Sequence, residues 1–158
     1  MATGLPKRSW ATVYTDASFD PPAAGVAFWA ASRHGRLIKA EPILEPVRDS
    51  LMAELHAVHV AVERTLQEWP MLSALRITSD SKSALGFLKG TAKNGKRDDV
   101  AKVVAAVLAY ESHVFLKFVW VKGHQNSDTV PAYVNRQVDE MAKMALRQAR
   151  KNFRDAGA

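Results

Sequence analysis

The sequence predicts an α/β fold built on a five-stranded mixed sheet, with the first three strands antiparallel, the later strands parallel and helices on its faces. Three observations lead there: the opening segment strings aromatic and β-branched runs between short turn signals, a long amphipathic helix follows, and the remainder alternates short apolar strands with helical stretches. Hairpins ahead of a strand–helix alternation give a sheet that starts antiparallel and continues parallel.

Residues Ser9 to Thr15 (SWATVYT) suit a buried strand that ends at Asp16, and DASFDPPAAG then reads as a turn. A second strand over Gly25 to Ala31 is followed by the hairpin signal SRHGR and the alternating RLIKAEPIL. Between Ser50 and Trp69, the residues Leu51, Leu55, Val58, Val62 and Leu66 fall on one helical face, with Asp49 or Ser50 as cap and Pro70 as stop. ALRITS forms a short strand running into Asp80; SKSALGFLKG and DDVAKVVAAVLAYES read as helices joined by the basic loop TAKNGKR. The last strand, VFLKFVWV, leads through KGHQNSDTV to Pro131, which opens a closing helix with Val134, Val138, Met141 and Ala145 on one face. Its basic end, within a tail at about 147–158, is expected to fray. Trp10, Trp29, Trp69 and Trp120 lie in strands or at a helix end, where tryptophan most often packs in a core, and none is read as a base-stacking residue.

The 158 residues, 47% hydrophobic and 24% charged, are enough for one ordinary core, so 1–158 is expected to be a single domain. Charge interrupts every apolar stretch before it reaches membrane-spanning length, and the N-terminus lacks an apolar signal core; a cytoplasmic, membrane-free protein is expected. With no cysteine, disulfides, thiolate zinc sites and cysteine nucleophiles are excluded, leaving oxygen ligands and histidine as metal binders. The formal charge of +6 attracts phosphate backbones or anionic lipid, and equally serves as an ordinary solubility charge.

Asp16 and Asp80 stand at the carboxyl ends of two expected strands, the usual place for a ligand site in an α/β sheet. Either aspartate alone serves as well as a turn or capping residue; their matching positions favour a shared metal. Glu54 and Asp139 lie beside the apolar stripes of the two long helices, as solvated boundary residues often do. If those helices carry them over the strand ends, four carboxylates converge into an all-oxygen site suited to magnesium or manganese.

TDAS at Asp16, MAEL at Glu54, TSDS at Asp80, WVKGH at His124 and NRQVDEMA at Asp139 occur in the order of the type 1 ribonuclease H family, which the chain resembles from about Val13 to Ala145. The resemblance implies a ribonuclease H-like fold and an endonuclease that cuts the RNA strand of RNA–DNA hybrids without strong sequence specificity. It further implies two Mg2+ ions, with Mn2+ able to substitute, on Asp16, Glu54, Asp80 and Asp139. His124 would assist proton transfer or product release, and Asn135 would support the last loop and helix. Ser18, Arg48 and Ser50 occupy family-like positions near substrate, and Lys93, Lys96 and Arg97, with Lys89 before them, could grip flanking phosphates as readily as form a solvated charge run.

Two departures from the family stand out. Ala17 follows the first aspartate where glycine is frequent, and the short TAKNGKR connection replaces a long tryptophan- and lysine-rich protrusion. A catalytically silent nucleic-acid-binding module, or another nuclease of the same fold, is the alternative reading. Met1 and the complete closing helix favour a free-standing protein over a domain of a polymerase, and since nothing in the sequence demands a partner subunit a monomer is expected.

Overall fold

The computed structural model describes residues 9–92, 97–123 and 129–157. Its elements run β1 (Trp10–Asp20), β2 (Ala23–Ser32), β3 (Gly35–Pro42), α1 (Ser50–Glu68), β4 (Ala74–Ser79), α2 (Lys82–Lys89), α3 (Asp98–Leu108), a short 3-10 turn (Ala109–Ser112), β5 (Phe115–Trp120) and α4 (Val130–Gly157). The strands form one sheet in the order β3-β2-β1-β4-β5, with β1–β2 and β2–β3 antiparallel and β1–β4 and β4–β5 parallel. The expected five-stranded mixed sheet is therefore the observed one.

The first strand is longer than the sequence suggests. Instead of ending at Asp16, β1 continues to Asp20, and only Pro21 and Pro22 turn the chain into β2. The reason is pairing: β2 stays in register with β1 from Ala11↔Ser32 through Asp20↔Ala23, and a complete antiparallel partner overrides the weak strand propensity of DASFD. Parallel pairing with β4 stops at Tyr14↔Thr78. Asp16 consequently lies in mid-strand, beyond the end of its β4 neighbour.

Period-two alternation divides the sheet's two faces. Ala11, Val13, Phe28, Leu75, Ile77 and Leu116 point toward α1 and join Leu55, Val58 and Val62 in the main core. Full burial of a valine, leucine, isoleucine or phenylalanine side chain contributes about 1.5–3 kcal/mol through loss of apolar surface to water. Asp49 caps α1, accepting from the Met52 N–H at 3.0 Å, and the helix stops at Trp69, just ahead of Pro70.

On the opposite face, Tyr14 and Ala27 pack beneath Val134, Val138 and Ala142 of α4. The close approach depends on Gly25, where a Cβ would stand 2.2 Å from the Leu146 backbone nitrogen. The basic end expected to fray is helical through Gly157, held by Leu146 and Ala149 against Ala23 and by an Arg150–Asp20 ion pair of 2.7 Å. Pro131 falls in the first turn of α4, where its missing N–H costs no helical hydrogen bond.

The tryptophans do not all enter the core. Trp69 is buried, but Trp10 and Trp120 are 42% and 41% exposed. The packing of α4 is against β1, β2 and β3, which among the described residues leaves side chains at the β4–β5 end of that face exposed.

Candidate active site

The gap beyond the end of β4 is where the carboxylates meet. Asp16 reaches it from mid-β1 and is only 4% exposed. Asp80 follows β4 directly, and the next residue, Ser81, caps α2 by accepting from the Ala84 N–H at 3.2 Å. Glu54 lies just over one turn into α1, positioned by the Asp49 cap. Each of the three offers a carboxylate oxygen, and these oxygens lie within 4.8 Å of one another.

Asp139 approaches from α4. Its carboxylate interacts with the Asp16 carboxyl and pairs with Lys143 at 2.9 Å. With Asp80, Asn135 and Arg136 it lines a small cleft next to the trio. The structure thus brings together the four acids singled out in the sequence, three in mutual reach and the fourth lining the adjoining cleft with Asp80.

The electrostatics of this cluster are those of carboxyls crowded together away from water. Burial pushes the Asp16 carboxyl up to about 8, with further upward contributions from Asp80 and Asp139, against a 2.9 Å hydrogen bond from the Ala17 N–H. Burial, followed by the charges of Asp16 and Asp80, also raises Glu54 well above the ordinary carboxylate range. Glu54 Oε2 is buried without a hydrogen-bond partner among the described residues. A divalent cation would satisfy that oxygen and allow the neighbouring acids to ionise together. The donor set is all oxygen, which fits magnesium or manganese.

An open cleft of about 420 Å³ leads to Glu54 and Asp80, bordered by Ser50, Ser81, Ser83 and Gly123. Of the expected substrate contacts, Ser50 is therefore at the cleft. Ser18 is half-buried on the α4 face of β1, paired with Gly25. Arg97 donates to Asp49 at 2.6 Å and to Asp99 at 2.7 Å, while Arg48 stands 3.6 Å from Asp99, so these two arginines tie the start of α1 to the start of α3. Asn135 is buried, and its Oδ1 finds no hydrogen-bond partner among the described residues. His124, Lys93 and Lys96 lie outside the described residues.

Several contributors carried no clear signal in the sequence. Trp120 donates its indole N–H to the Asp80 carbonyl at 3.1 Å, and Lys82 lies 4.3 Å from the centre of the same ring. Gly123 sits so close to Asp80 that a Cβ there would be 2.6 Å from Oδ2. The WVKG run hinted at both Trp120 and Gly123, but strand periodicity made Trp120 look like a core residue.

Solved structures resemble this architecture at low identity. The N-terminal RNase H domain of a Mycobacterium tuberculosis protein superposes with a TM-score of 0.72 at 16% identity, covering 90% of this chain and 97% of that one. RNase H1 from the halophilic archaeon Halobacterium salinarum gives 0.70 at 17% identity, covering 89% and 99%. LC11-RNase H1, isolated from compost by a metagenomic approach and solved in complex with RNA/DNA hybrid, gives 0.67 at 19% identity, covering 88% and 98%. No curated protein matches the chain. The family model for RNase H matches residues 8–147, a span that contains all five strands and the four clustered acids, and on that match the chain belongs to the RNase H family.

Proposed function

We propose that the protein hydrolyses the RNA strand of RNA–DNA hybrids internally, with two Mg2+ ions held by Asp16, Glu54, Asp80 and Asp139. The observation that carries this reading is the all-oxygen cluster, with a buried Glu54 Oε2 that has no hydrogen-bond partner among the described residues. Family membership and the hybrid-bound relative support the substrate. Mn2+ substitutes for Mg2+ because it accepts the same oxygen donors.

When bound, the cations supply an activated water, neutralisation of charge on the phosphate and stabilisation of the departing oxygen. The chain's own residues set the geometry. The β1 backbone and the Ala17 N–H orient Asp16, the Asp49-capped helix presents Glu54, and Trp120 holds the backbone of Asp80. His124, next to Gly123 in sequence, moves a proton or releases product.

Selection of the hybrid rests on 2′-hydroxyls and groove shape, since cleavage without sequence preference cannot use base edges. Ser50 at the cleft mouth and Ser18 are assigned to those contacts, with Asn135 supporting the last loop and helix. Arg48, Lys93, Lys96 and Arg97 are assigned to flanking phosphates, the two arginines from within their ion cluster. The protein acts as a single-domain cytoplasmic monomer.

Labelled RNA–DNA hybrid, RNA duplex, DNA duplex and single-stranded RNA, each incubated with Mg2+, Mn2+ or chelator, test the reading. Metal-dependent internal cuts confined to the RNA strand of the hybrid are expected. Asp80→Asn should abolish cutting while leaving the fold intact. Hybrid binding without cleavage would identify a silent binding module instead, and cleavage of the DNA duplex would identify another nuclease of this fold.

A further inference from the structure

The sheet face that carries Asp16 is only partly roofed by α4. Strand register places three rows of side chains across it. One row runs Arg36, Ala31, Thr12, Arg76 and Lys117; the next runs Ile38, Trp29, Tyr14, Thr78 and Val119; Trp10, Ala74 and Phe115 form the third. Tyr14 and Trp29 pack against α4 residues, whereas Arg36, Arg76 and Lys117 are exposed, as are Trp10 and Phe115 at 42% and 60%.

The aromatics are ordered by one another. Trp10 and Phe115 meet edge to face with centroids 6.1 Å apart, and with Ser73 and Ala74 they wall a shallow cavity of about 270 Å³. Arg36 lies over the Trp29 ring, 6.0 Å from its centre.

The charges are arranged at a cost. Arg76 and Lys117 are register partners on adjacent strands, and like charges set directly opposite are destabilising. No side chain in the three rows is acidic. An anionic ligand would relieve the repulsion, whereas self-association through this face would set the cations against one another.

Exposed aromatics beside cations that have no ion-pair partner among the described residues match the chemistry of unpaired nucleotides, whose bases stack on rings while their phosphates meet positive charge. We propose that this face is a second nucleic-acid surface that binds single-stranded RNA or DNA. Bases stack on Trp10 and Phe115, and Arg36, Arg76 and Lys117 hold the phosphates. Trp10 stands six residues from Asp16 along β1, about 20 Å at strand rise, so the surface is separate from the carboxylate cluster and its function does not depend on cleavage.

Fluorescence anisotropy with labelled U15 and dT15, in chelator to prevent cutting, tests the proposal on the full chain. Both strands are expected to bind, and preference between them tells whether the ribose hydroxyl is read. Trp10→Ala with Phe115→Ala should weaken binding at least about ten-fold, as loss of base stacking does. Arg76→Ala with Lys117→Ala should flatten the log–log salt dependence by about 1.4, two phosphate contacts at the single-strand value. Thr12→Glu, which places an anion in the cation row, should also weaken binding. The substituted side chains are exposed or half-buried, and thermal melts verify that each variant folds. Wild-type affinity in the aromatic double variant, or equal binding of an abasic strand of the same length, overturns the proposal.

Discussion

Trp120 and Asp80 are joined by a 3.1 Å hydrogen bond from the indole N–H to the backbone carbonyl, a link between the edge strand β5 and the residue that leaves β4 to enter the acid cluster. Lys82 flanks the same ring at 4.3 Å, so the tryptophan also organises the start of α2. Trp120→Phe keeps a ring for Lys82 but removes the donor. The expected stability loss is about 1 kcal/mol, the usual net value of one hydrogen bond. Cleavage of hybrid should fall several-fold with a raised Mg2+ requirement, measured by initial rates across a metal titration. An unchanged metal dependence would remove Trp120 as a positioning residue for Asp80.

Gly123 presses on the other side of Asp80. A Cβ at Gly123 would stand 2.6 Å from Asp80 Oδ2, and the carboxylate is the part that can give way. Gly123→Ala is therefore expected to leave the melting temperature nearly unchanged while lowering Mg2+ affinity about ten-fold, read by calorimetric titration. A stable variant with wild-type metal affinity would show that the carboxylate has room to spare.

Gly25→Ala should behave in the opposite way. Its Cβ would meet the α4 backbone at Leu146 N, Ala145 C and Ala142 O, all within 2.6 Å, and a helix backbone cannot rotate aside. Lifting α4 from the sheet should cost about 3 kcal/mol, the upper part of the overpacking range. That corresponds to a fall of roughly 10 °C in Tm for a chain of this size. Activity should fall with it, because Asp139 rides on α4. A melting temperature within a degree or two of wild type would contradict the close packing.

The acid cluster sets the sign of the pH response. Asp16 is raised from 3.8 to about 8, so without a cation the folded protein holds a proton there that the unfolded chain releases. Across that window the native state binds more protons, and stability falls as pH rises, being fully present below the unfolded value and lost on passing the folded one. Glu54 is shifted in the same direction. Asp99, held low by its hydrogen bond from Arg97, acts in the opposite sense, and its contribution is lost only in strong acid. In chelator, Tm should therefore decline between about pH 5 and about pH 8, and saturating Mg2+ should flatten the decline by replacing the proton. A chelated protein whose Tm rises over that range would contradict the raised carboxyls.

Much of this molecule is local information. The helical face of Leu55, Val58 and Val62, the Asp49 cap, the ALRITS strand and the order of the acid-bearing blocks can all be read without coordinates, because periodicity, capping and turn chemistry act over a few residues. The strand run of DASFD could not be read that way. It holds because β2 pairs along its whole length, and the same pairing puts Asp16 beside a gap instead of at a strand end.

Trp10, Trp69 and Trp120 look alike to a hydropathy pattern, yet only Trp69 is buried among them, because exposure depends on which half of the sheet a distant helix covers. Arg48 and Arg97 likewise read as free cations until folding sets Asp49 and Asp99 beside them. Residue type and short-range spacing thus made the order of the elements, the family resemblance and the candidate acids legible. Strand length, the convergence of Asp16, Glu54, Asp80 and Asp139, and the split between roofed and open sheet arise from contacts between segments far apart in the chain, which no local pattern encodes.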